Sequence, residues 1–282
     1  MDRLERKRAV ITGAASGLGR SLALALARKG CRIGVVDINI EGAQETLRMV
    51  EQAGGSGEIY ELDVRVAIDV EAMADHFFSS WGGVDLLFNN AGVAVTGFVG
   101  GVPLEDWEWI HAINFWGVLY GCHSFIPRMK AQGGGHIVNT ASAAGIVSFL
   151  EMGPYNTTKA AVISLSETMK VELAPDNIGV SVICPMFFNT GLLDDLRYET
   201  EFENELGHAA FRFSRITSDE VAEAVIKGVE KGRLIIVPQL SGKVFWVQKR
   251  LSPMMYFGQL AFLNKMGWAR PLFLWMARHG ML

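Results

Sequence analysis

A tyrosine and a lysine stand four positions apart in the segment GPYNTTK, residues 153–159. On a helix these positions share one face, with Cβ atoms about 5–6 Å apart, so Tyr155 and Lys159 could present a phenol and an ammonium together. A free tyrosine has a pKa near 10, too high for a base at neutral pH. An opposite charge within about 4–6 Å lowers the pKa of an acid by about 1–3 units. The pair could therefore perform acid/base chemistry, or it could be an ordinary helix surface.

Other polar residues follow apolar runs that are typical of buried strands. The run GHIVNTAS, residues 135–142, ends at Ser142, and GVDLLFNNAG, residues 83–92, places Asn90 and Gly92 after a strand. Ligands bind at the carboxyl ends of strands in an open α/β sheet. A helix is predicted to begin near Pro154, since proline is favoured in a first turn. We expect these ends to converge on one crevice.

Residues 8–37 read as strand, glycine-rich loop, helix and strand, which is a βαβ unit with parallel strands. Gly13, Gly17 and Gly19 allow a tight turn, close approach of a pyrophosphate and packing of the helix on the strand. The helix amino terminus offers free N–H groups to that phosphate. Asp37 closes the second strand, where a carboxylate can accept hydrogen bonds from both adenosine ribose hydroxyls. A helix cap is the alternative role for Asp37.

The surroundings of Asp37 bear on the choice between NAD and NADP. Its neighbours are Ile38 and Asn39, and the loop residue before Gly17 is Ser16. The carboxylate would repel a 2′-phosphate, and no arginine or lysine stands beside it to accept one. NAD is therefore predicted over NADP.

The chain resembles the classical short-chain dehydrogenases/reductases in its glycine spacing and in further segments that occur in the same order. These segments are Asp63 in LDV, NNAG at 89–92, Asn114 in INFWG, Ser142 in VNTASAAG, Tyr155 with Lys159, and CPMFFNT at 184–190. The resemblance covers about residues 5–240. It implies a single-domain, doubly wound Rossmann-type α/β fold of about seven parallel strands with helices on both faces. Met186 departs from the pattern, because the family most often has glycine there, and this puts the path of the loop in question.

The resemblance implies hydride transfer between a nicotinamide and a carbinol or carbonyl carbon. Tyr155 would be the acid/base, and Lys159 would lower its pKa and hold the nicotinamide ribose. Ser142 would hydrogen-bond the substrate oxygen, and Asn114 would anchor a water-mediated proton path. Taken singly, a surface pair, a turn serine and a helix-bending asparagine are the alternatives.

The resemblance also implies which residues bind the cofactor. Thr190 would contact the nicotinamide carboxamide and Asp63 the adenine, with a turn or helix-cap role as the alternative. The full predicted set is Gly13, Ser16, Gly17, Leu18, Gly19, Asp37, Asp63, Val64, Asn90, Ala91, Gly92, Tyr155, Lys159, Pro185 and Thr190.

Two segments are expected to frame the substrate, residues 145–153 and residues 186–207. They are rich in apolar side chains, with no arginine or lysine placed to hold a carboxylate or phosphate, so a hydrophobic alcohol or ketone is predicted. The second segment becomes acidic and helix-prone, which predicts a mobile lid at about 187–215. The alternative is that these side chains are simply core. The predicted substrate-binding residues are Ser142, Phe149, Met152, Tyr155, Phe187 and Phe188.

Composition limits the other functions. The chain has 282 residues, half of them apolar, and no linker or repeat divides it, so one large α/β domain is expected. A formal net charge of −4 argues against a nucleic-acid partner. The three cysteines are far apart without metal-ligand spacing, so we expect reduced thiols and no metal site. Charged residues lead directly into the first strand with no signal-peptide pattern, which predicts a cytoplasmic protein.

The end of the chain differs in composition from the rest. No acidic residue follows Glu230, so residues 231–282 carry a charge of +8 while residues 1–230 carry −12. We expect a catalytic domain at 1–240 and a hydrophobic, basic helical extension at 241–282. The extension either lies on an anionic membrane surface or packs against a subunit partner or over the substrate entrance. Its longest uncharged stretch, residues 251–264, is too short to span a bilayer.

Together these features predict an NAD-dependent oxidoreductase for a hydrophobic secondary alcohol or ketone of the steroid, retinoid, long-chain or aryl type. By the resemblance, a homodimer or homotetramer is expected. Two alternatives remain: a dinucleotide-sensing protein without turnover, and a membrane-surface scaffold that acts through its extension. The presence of Asn114, Ser142, Tyr155 and Lys159 favours the enzyme.

Overall fold

A computed structural model describes residues 4–193 and 195–282. The strands are β1 (Arg8–Thr12), β2 (Arg32–Asp37), β3 (Ser56–Glu61), β4 (Leu86–Asn89), β5 (Val95–Thr96), β6 (Gly135–Thr140), β7 (Ile178–Ile183), β8 (Arg197–Tyr198) and β9 (Ile235–Ile236). The helices are α1 (Gly17–Ala27), α2 (Ile40–Gln52), α3 (Ala67–Trp81), α4 (Leu104–His111), α5 (Val118–Ala131), α6 (Ala143–Val147), α7 (Gly153–Glu172), α8 (Glu201–Arg212), α9 (Ser218–Glu230), α10 (Leu240–Leu251), α11 (Pro253–Lys265) and α12 (Ala269–Arg278). Between α4 and α5, Ala112–Gly117 form a π-helix.

Seven strands form one parallel sheet in the order β3-β2-β1-β4-β6-β7-β9. The winding direction reverses between β1 and β4, so a crevice opens beyond the carboxyl ends of these two strands. Strands β5 and β8 pair with each other outside this sheet. The predicted doubly wound Rossmann-type sheet of about seven strands is confirmed.

Apolar side chains cover both faces of the sheet. Along β1, Ile11 packs into a cluster with Leu22 of α1 and Val225 of α9. The preceding residue, Val10, packs into a second cluster with Phe77 of α3 on the opposite face. Successive side chains of a strand point to opposite faces, so a strand buried between two helical layers must be apolar throughout.

Hydrogen bonds between buried polar side chains connect the central strands to α7. Asn89 Nδ2 donates to Asn139 Oδ1 at 2.9 Å, and Asn139 Nδ2 donates to Ser166 Oγ at 3.0 Å. All three residues are buried, so each bond satisfies groups that would otherwise be costly to desolvate. The network fixes α7, which carries Tyr155 and Lys159, against β4 and β6.

Helices α10, α11 and α12 form the predicted extension and fold back onto the rest of the chain. Lys249 Nζ of α10 donates to the carbonyl oxygen of Ile146 at 2.6 Å, and Arg278 of α12 pairs with Glu205 of α8. Among the described residues, none of the helices is long and apolar enough to cross a bilayer. The predicted lid contains β8 and α8; residue 194 of that lid and residues 1–3 lie outside the described part of the chain.

Replacing Phe77 by alanine is expected to lower the free energy of unfolding by about 3–5 kcal/mol. The ring is fully buried, packs edge-on to Trp81 at 4.7 Å and covers the bare backbone of Gly34. Urea denaturation followed by circular dichroism measures the change. The matched control is Ile68→Ala on the same helix, whose side chain is 73% exposed and whose loss should change stability by less than about 0.5 kcal/mol. Equal effects of both substitutions would contradict this packing.

Candidate active site

The carboxyl ends of the central strands open into a cavity of about 620 Å³. Of the predicted catalytic, cofactor-binding and substrate-binding residues, all except Asn114 line this cavity. The site residues come from segments spread over most of the chain, so it is the parallel sheet that brings them together.

The loop between β1 and α1 leaves no room for side chains at its glycines. A Cβ on Gly13 would lie 2.7 Å from Ala91 Cα, and one on Gly19 would collide with the carbonyl oxygen of Gly13. Gly17 has a φ of +51°, which disfavours any other residue. Ser16 precedes α1 without capping it through its side chain. The bare backbone and uncapped N–H groups therefore fit the pyrophosphate of a dinucleotide.

Asp37 lines the cavity at the end of β2. Its two carboxylate oxygens accept hydrogen bonds from the backbone N–H of Ala15 at 2.8 Å and of Asn39 at 2.9 Å. Each oxygen retains a further lone pair that ribose hydroxyls could use. The side chain of Asn39 caps α2 by accepting from Gly42 N at 3.0 Å, so the alternative role of Asp37 as that cap is excluded.

Two arginines near the Asp37 end of the cavity form hydrogen bonds with protein groups. Arg20 Nε donates to Thr46 Oγ1 at 2.9 Å, and its Nη2 reaches Glu45 at 2.7 Å on α2. Arg65 forms a two-point ion pair with Asp63, with Nη2 to Oδ2 at 2.6 Å, and its hydrogen bonds hold the pKa of Asp63 below the ordinary value. Arg65 also lines the cavity but was not predicted from the sequence. Its position two residues after Asp63 could have indicated that it pairs with this predicted site residue.

The side chain of Asn90 is occupied by the protein. Its Nδ2 donates to the carbonyl oxygens of Thr12 at 3.0 Å and of Gly13 at 3.1 Å, and its Oδ1 accepts from Thr140 Oγ1 at 3.4 Å. Asn90 therefore joins the ends of β1 and β6 and shapes the wall of the cavity.

Tyr155 and Lys159 lie in the first two turns of α7 and are buried, with exposed fractions of 7% and 3%. Lys159 Nζ donates to the carbonyl oxygen of Thr140 at 3.0 Å and lies 5.5 Å from the centre of the Tyr155 ring. Ser142 Oγ accepts from Ala144 N at 3.1 Å and lies 3.3 Å from the carbonyl oxygen of Pro185, to which it donates. Burial excludes the alternative that the pair is a solvated helix surface.

Burial governs the protonation of this pair. It raises the pKa of Tyr155 to about 12, against a smaller opposing effect of the hydrogen bond to Ser142. It also lowers the pKa of Lys159 to about 8. The lowering of the tyrosine pKa was expected from Lys159 together with an oxidised nicotinamide; in the protein alone, burial is the main influence and raises this pKa. The phenol is protonated at neutral pH and is placed to donate a proton.

Asn114 lies behind the cavity wall, fully buried in the π-helix. Its Oδ1 accepts from Val93 N and its Nδ2 donates to Val93 O, both at 2.9 Å. A Cβ on Gly92 would lie 3.1 Å from Asn114 Oδ1 and 3.4 Å from Lys159 Nζ. The glycine therefore lets the lysine approach the hydrogen-bonded pair of Asn114 and Val93. Insertions of this helix type frequently occur at functional sites.

Met186 is accommodated without strain in the loop after β7. It is absent from the residues with positive φ, and its N–H donates to Gln239 Oε1 at 3.0 Å. The buried side chain packs against Gly242 of α10, where a Cβ would lie 2.9 Å from Met186 Cγ. The methionine therefore joins this loop to the extension, a contact that glycine could not make.

Aromatic side chains line part of the cavity, as the sequence predicts for the substrate. The ring of Phe149 lies 5.8 Å from that of Phe187, which lies 5.8 Å from that of Phe211. Phe188 also lines the cavity, but it is buried mainly in the apolar cluster that contains Leu22 and Val225. For Phe188, the alternative that the side chain is part of the hydrophobic core therefore fits the structure.

Two carboxylates stand in this apolar wall. The side chains of Glu151 and Glu203 are 5% and 2% exposed, and both line the cavity. Arg270 of α12 reaches Glu151 at 3.0 Å and Glu203 at 3.4 Å. Burial nevertheless raises the pKa of Glu151. The sequence did not predict that Arg270 lies beside this wall, because no local pattern connects residues so far apart in sequence.

Comparison with known proteins identifies the family. The family model "short chain dehydrogenase" matches residues 7–201. The chain is 33% identical over 261 residues to "Putative oxidoreductase SadH" of Mycobacterium tuberculosis, covering 91% of this chain and 94% of the relative. Cyclohexanol dehydrogenase of an Acinetobacter species is 33% identical over 193 residues, covering 68% and 77%.

A solved structure agrees with these matches. The short chain dehydrogenase/reductase from Burkholderia phymatum in complex with NAD superposes with a TM-score of 0.85 at 31% identity, covering 90% of this chain and 96% of that one. Given these similarities and the arrangement of Ser142, Tyr155 and Lys159 at the edge of the sheet, the chain belongs to the short-chain dehydrogenase/reductase family of oxidoreductases.

Proposed function

We propose that the protein is an NAD-dependent oxidoreductase that interconverts a hydrophobic secondary alcohol and its ketone. The observation that carries the proposal is the meeting of Ser142, Tyr155 and Lys159 in the same cavity as the bare glycine loop of α1. When bound, the nicotinamide supplies or accepts the hydride. The alternatives are a dinucleotide-sensing protein without turnover and a membrane-surface scaffold.

The protein residues handle the substrate oxygen and its proton. Because burial keeps Tyr155 protonated, its phenol can donate a proton to the carbonyl oxygen in reduction and becomes a phenolate. In oxidation the phenolate must be present first, and it accepts the hydroxyl proton to become the phenol again. Ser142 Oγ gives up its bond to the carbonyl oxygen of Pro185 and donates to the substrate oxygen instead. Lys159 uses one proton on Thr140 O, which leaves two to hold ribose hydroxyls.

The cofactor preference is proposed from Asp37 and its surroundings. The carboxylate lies where the adenosine ribose would bind, and Arg20 and Arg65 are paired with acidic residues. A 2′-phosphate would meet a negative charge there without a free cation to offset it. The relative from Burkholderia phymatum was solved with NAD, which supports the same choice.

The substrate class is proposed from the aromatic wall of Phe149, Phe187 and Phe211. Related proteins include cyclohexanol dehydrogenase and D-threitol dehydrogenase of Mycolicibacterium smegmatis, so relatives take both apolar and polar alcohols. The apolar lining favours the first type, with steroid, retinoid, long-chain and aryl alcohols as members of the class.

A homodimer or homotetramer and a membrane contact are proposed for the assembly. Exposed apolar side chains cover the outer side of α10–α12, and contiguous patches of this kind mark interaction sites. Lys243, Arg250 and Lys265 are exposed on the same helices, which carry no acidic residue. We propose that this surface contacts an anionic membrane. The exposed apolar residues include Val244, Leu251, Met254, Phe257, Phe262, Trp268 and Trp275.

Replacing Tyr155 by phenylalanine is expected to reduce kcat for alcohol oxidation by about 10²–10⁴-fold, because the acid/base group is lost. The assay follows the absorbance of reduced nicotinamide with a panel of hydrophobic secondary alcohols. The wild-type oxidation rate should rise from neutral to alkaline pH. Only the phenolate of Tyr155 can accept the hydroxyl proton, and its raised pKa means that the phenolate forms at alkaline pH. The matched control is Tyr60→Phe in β3, outside the cavity, which should retain full activity. Dinucleotide binding without turnover on any alcohol or ketone would favour the sensing protein.

Replacing Asp37 by serine is expected to lower the ratio of kcat/KM with NAD to kcat/KM with NADP by at least about tenfold. This corresponds to a change of about 1.4 kcal/mol in the difference between the two activation free energies. The change removes the charge that repels the 2′-phosphate. The matched control is Glu61→Ser, which is paired with Asp37 across β2 and β3 but does not line the cavity. An unchanged ratio in Asp37→Ser would show that another group selects the cofactor.

The membrane contact predicts that the protein sediments with phosphatidylserine vesicles and much less with phosphatidylcholine vesicles. The charge-reversed variant K243E/R250E/K265E should lose sedimentation, because each basic residue near an anionic surface contributes about 1 kcal/mol. The control variant R48E/K227E/K231E reverses three exposed charges elsewhere and should sediment normally. Equal sedimentation with both kinds of vesicle would contradict the membrane contact. Dissociation of a dimer in K243E/R250E/K265E would likewise indicate that this surface binds a protein partner.

A further inference from the structure

A second, smaller cavity of about 170 Å³ lies between the extension and the loop that follows α6. All three helices of the extension line it, with Phe245 from α10, Leu263 from α11 and Phe273 from α12 among its walls. The cavity therefore exists only because the extension folds back onto this loop.

Phe149 and Leu150 line both cavities. The ring of Phe149 lies 5.8 Å from Phe187 in the larger cavity and 6.4 Å from Phe245 in the smaller one. A single layer of side chains thus separates the cavity that contains Tyr155 from the space under the extension. A chain passing from one cavity to the other would have to displace these two side chains.

The walls of the smaller cavity suit a hydrocarbon. They are leucine, phenylalanine, methionine and tyrosine side chains, apart from two glutamines. Gln248 Nε2 donates to Gln259 Oε1 at 3.1 Å, which pairs one donor and one acceptor of these two amides. Leu272, which lines this cavity, is 37% exposed, so the cavity is open to solvent on one side. An apolar group that enters it would bury its own surface and that of these side chains, which favours binding.

We propose that this cavity holds the alkyl chain of the substrate, with the oxygen-bearing carbon at Tyr155 and the chain passing beside Phe149 and Leu150. The proposal rests on the proposed function and narrows the substrate to secondary alcohols or ketones with an extended apolar chain. Such a chain would reach from the catalytic site to the inner side of α11. Each methylene buried there improves binding about fourfold.

The test compares kcat/KM for 2-butanol, 2-octanol and 2-dodecanol in the wild type and in Leu263→Trp, which fills the cavity. In the wild type kcat/KM rises with chain length. Leu263→Trp is expected to lose at least about tenfold for 2-dodecanol and less than about twofold for 2-butanol. The matched control, Ala261→Trp, adds the same side chain at an exposed position of α11 and should behave as the wild type. If Leu263→Trp does not fold, Leu263→Phe takes its place with a smaller loss of the same kind.

Calorimetric binding of 2-dodecanone and 2-butanone separates this proposal from the proposed function. Absence of turnover with any alcohol would refute the function, yet tighter binding of 2-dodecanone that is lost in Leu263→Trp would still support the chain site. The proposal is wrong if chain length affects neither kcat/KM nor Kd in the wild type. It is also wrong if the filled variant loses affinity equally for both ketones.

Discussion

The withdrawal of Lys159 from water is the constraint on which the rest of the site depends. A cation in such a place needs polar partners, and the carbonyl oxygen of Thr140 at the end of β6 is one of them. The lysine reaches it only because α7 is pressed onto the sheet. Gly145 lets α6 pack closely against α7, since a Cβ there would lie 2.6 Å from the backbone carbon of Lys159. The buried link between Asn139 and Ser166 holds the same helix farther along.

Local pattern was sufficient to predict the first βαβ unit, the glycine loop and the helix that carries Tyr155 and Lys159, because strand and helix periodicity is a property of each segment. The number of strands in the sheet was predicted only from the family resemblance, since pairing of parallel strands joins segments far apart in sequence. The protonation of the tyrosine could not be predicted, since it depends on how deeply the fold buries the ring. The partners of Glu151 also escaped prediction. Its pairing with Arg270 joins residues more than a hundred positions apart, and no spacing rule links them.

The extension takes part in forming the apolar end of the cavity. Gly242 receives the side chain of Met186, Lys249 binds the carbonyl oxygen of Ile146, and Arg270 pairs with Glu151. These contacts reach both segments that frame the cavity. The residue that departs from the family pattern at position 186 thus has a physical reason in this chain. The shape of the apolar end is set jointly by the sheet and by helices that follow it.

The ion pairs of Arg270 also limit how the chain can be rebuilt. Glu151 has a φ of +58°, a conformation that non-glycine residues rarely adopt, and its carboxylate is almost fully enclosed. Removing the extension would take away the cation that both carboxylates share. Glu203 would keep its hydrogen bond from the Thr200 N–H at 2.8 Å, which caps α8, whereas Glu151 would lose the cation that offsets its desolvation. Truncation or exchange of the extension therefore calls for a replacement at position 151 as well, so these two distant parts of the chain would have to be redesigned together.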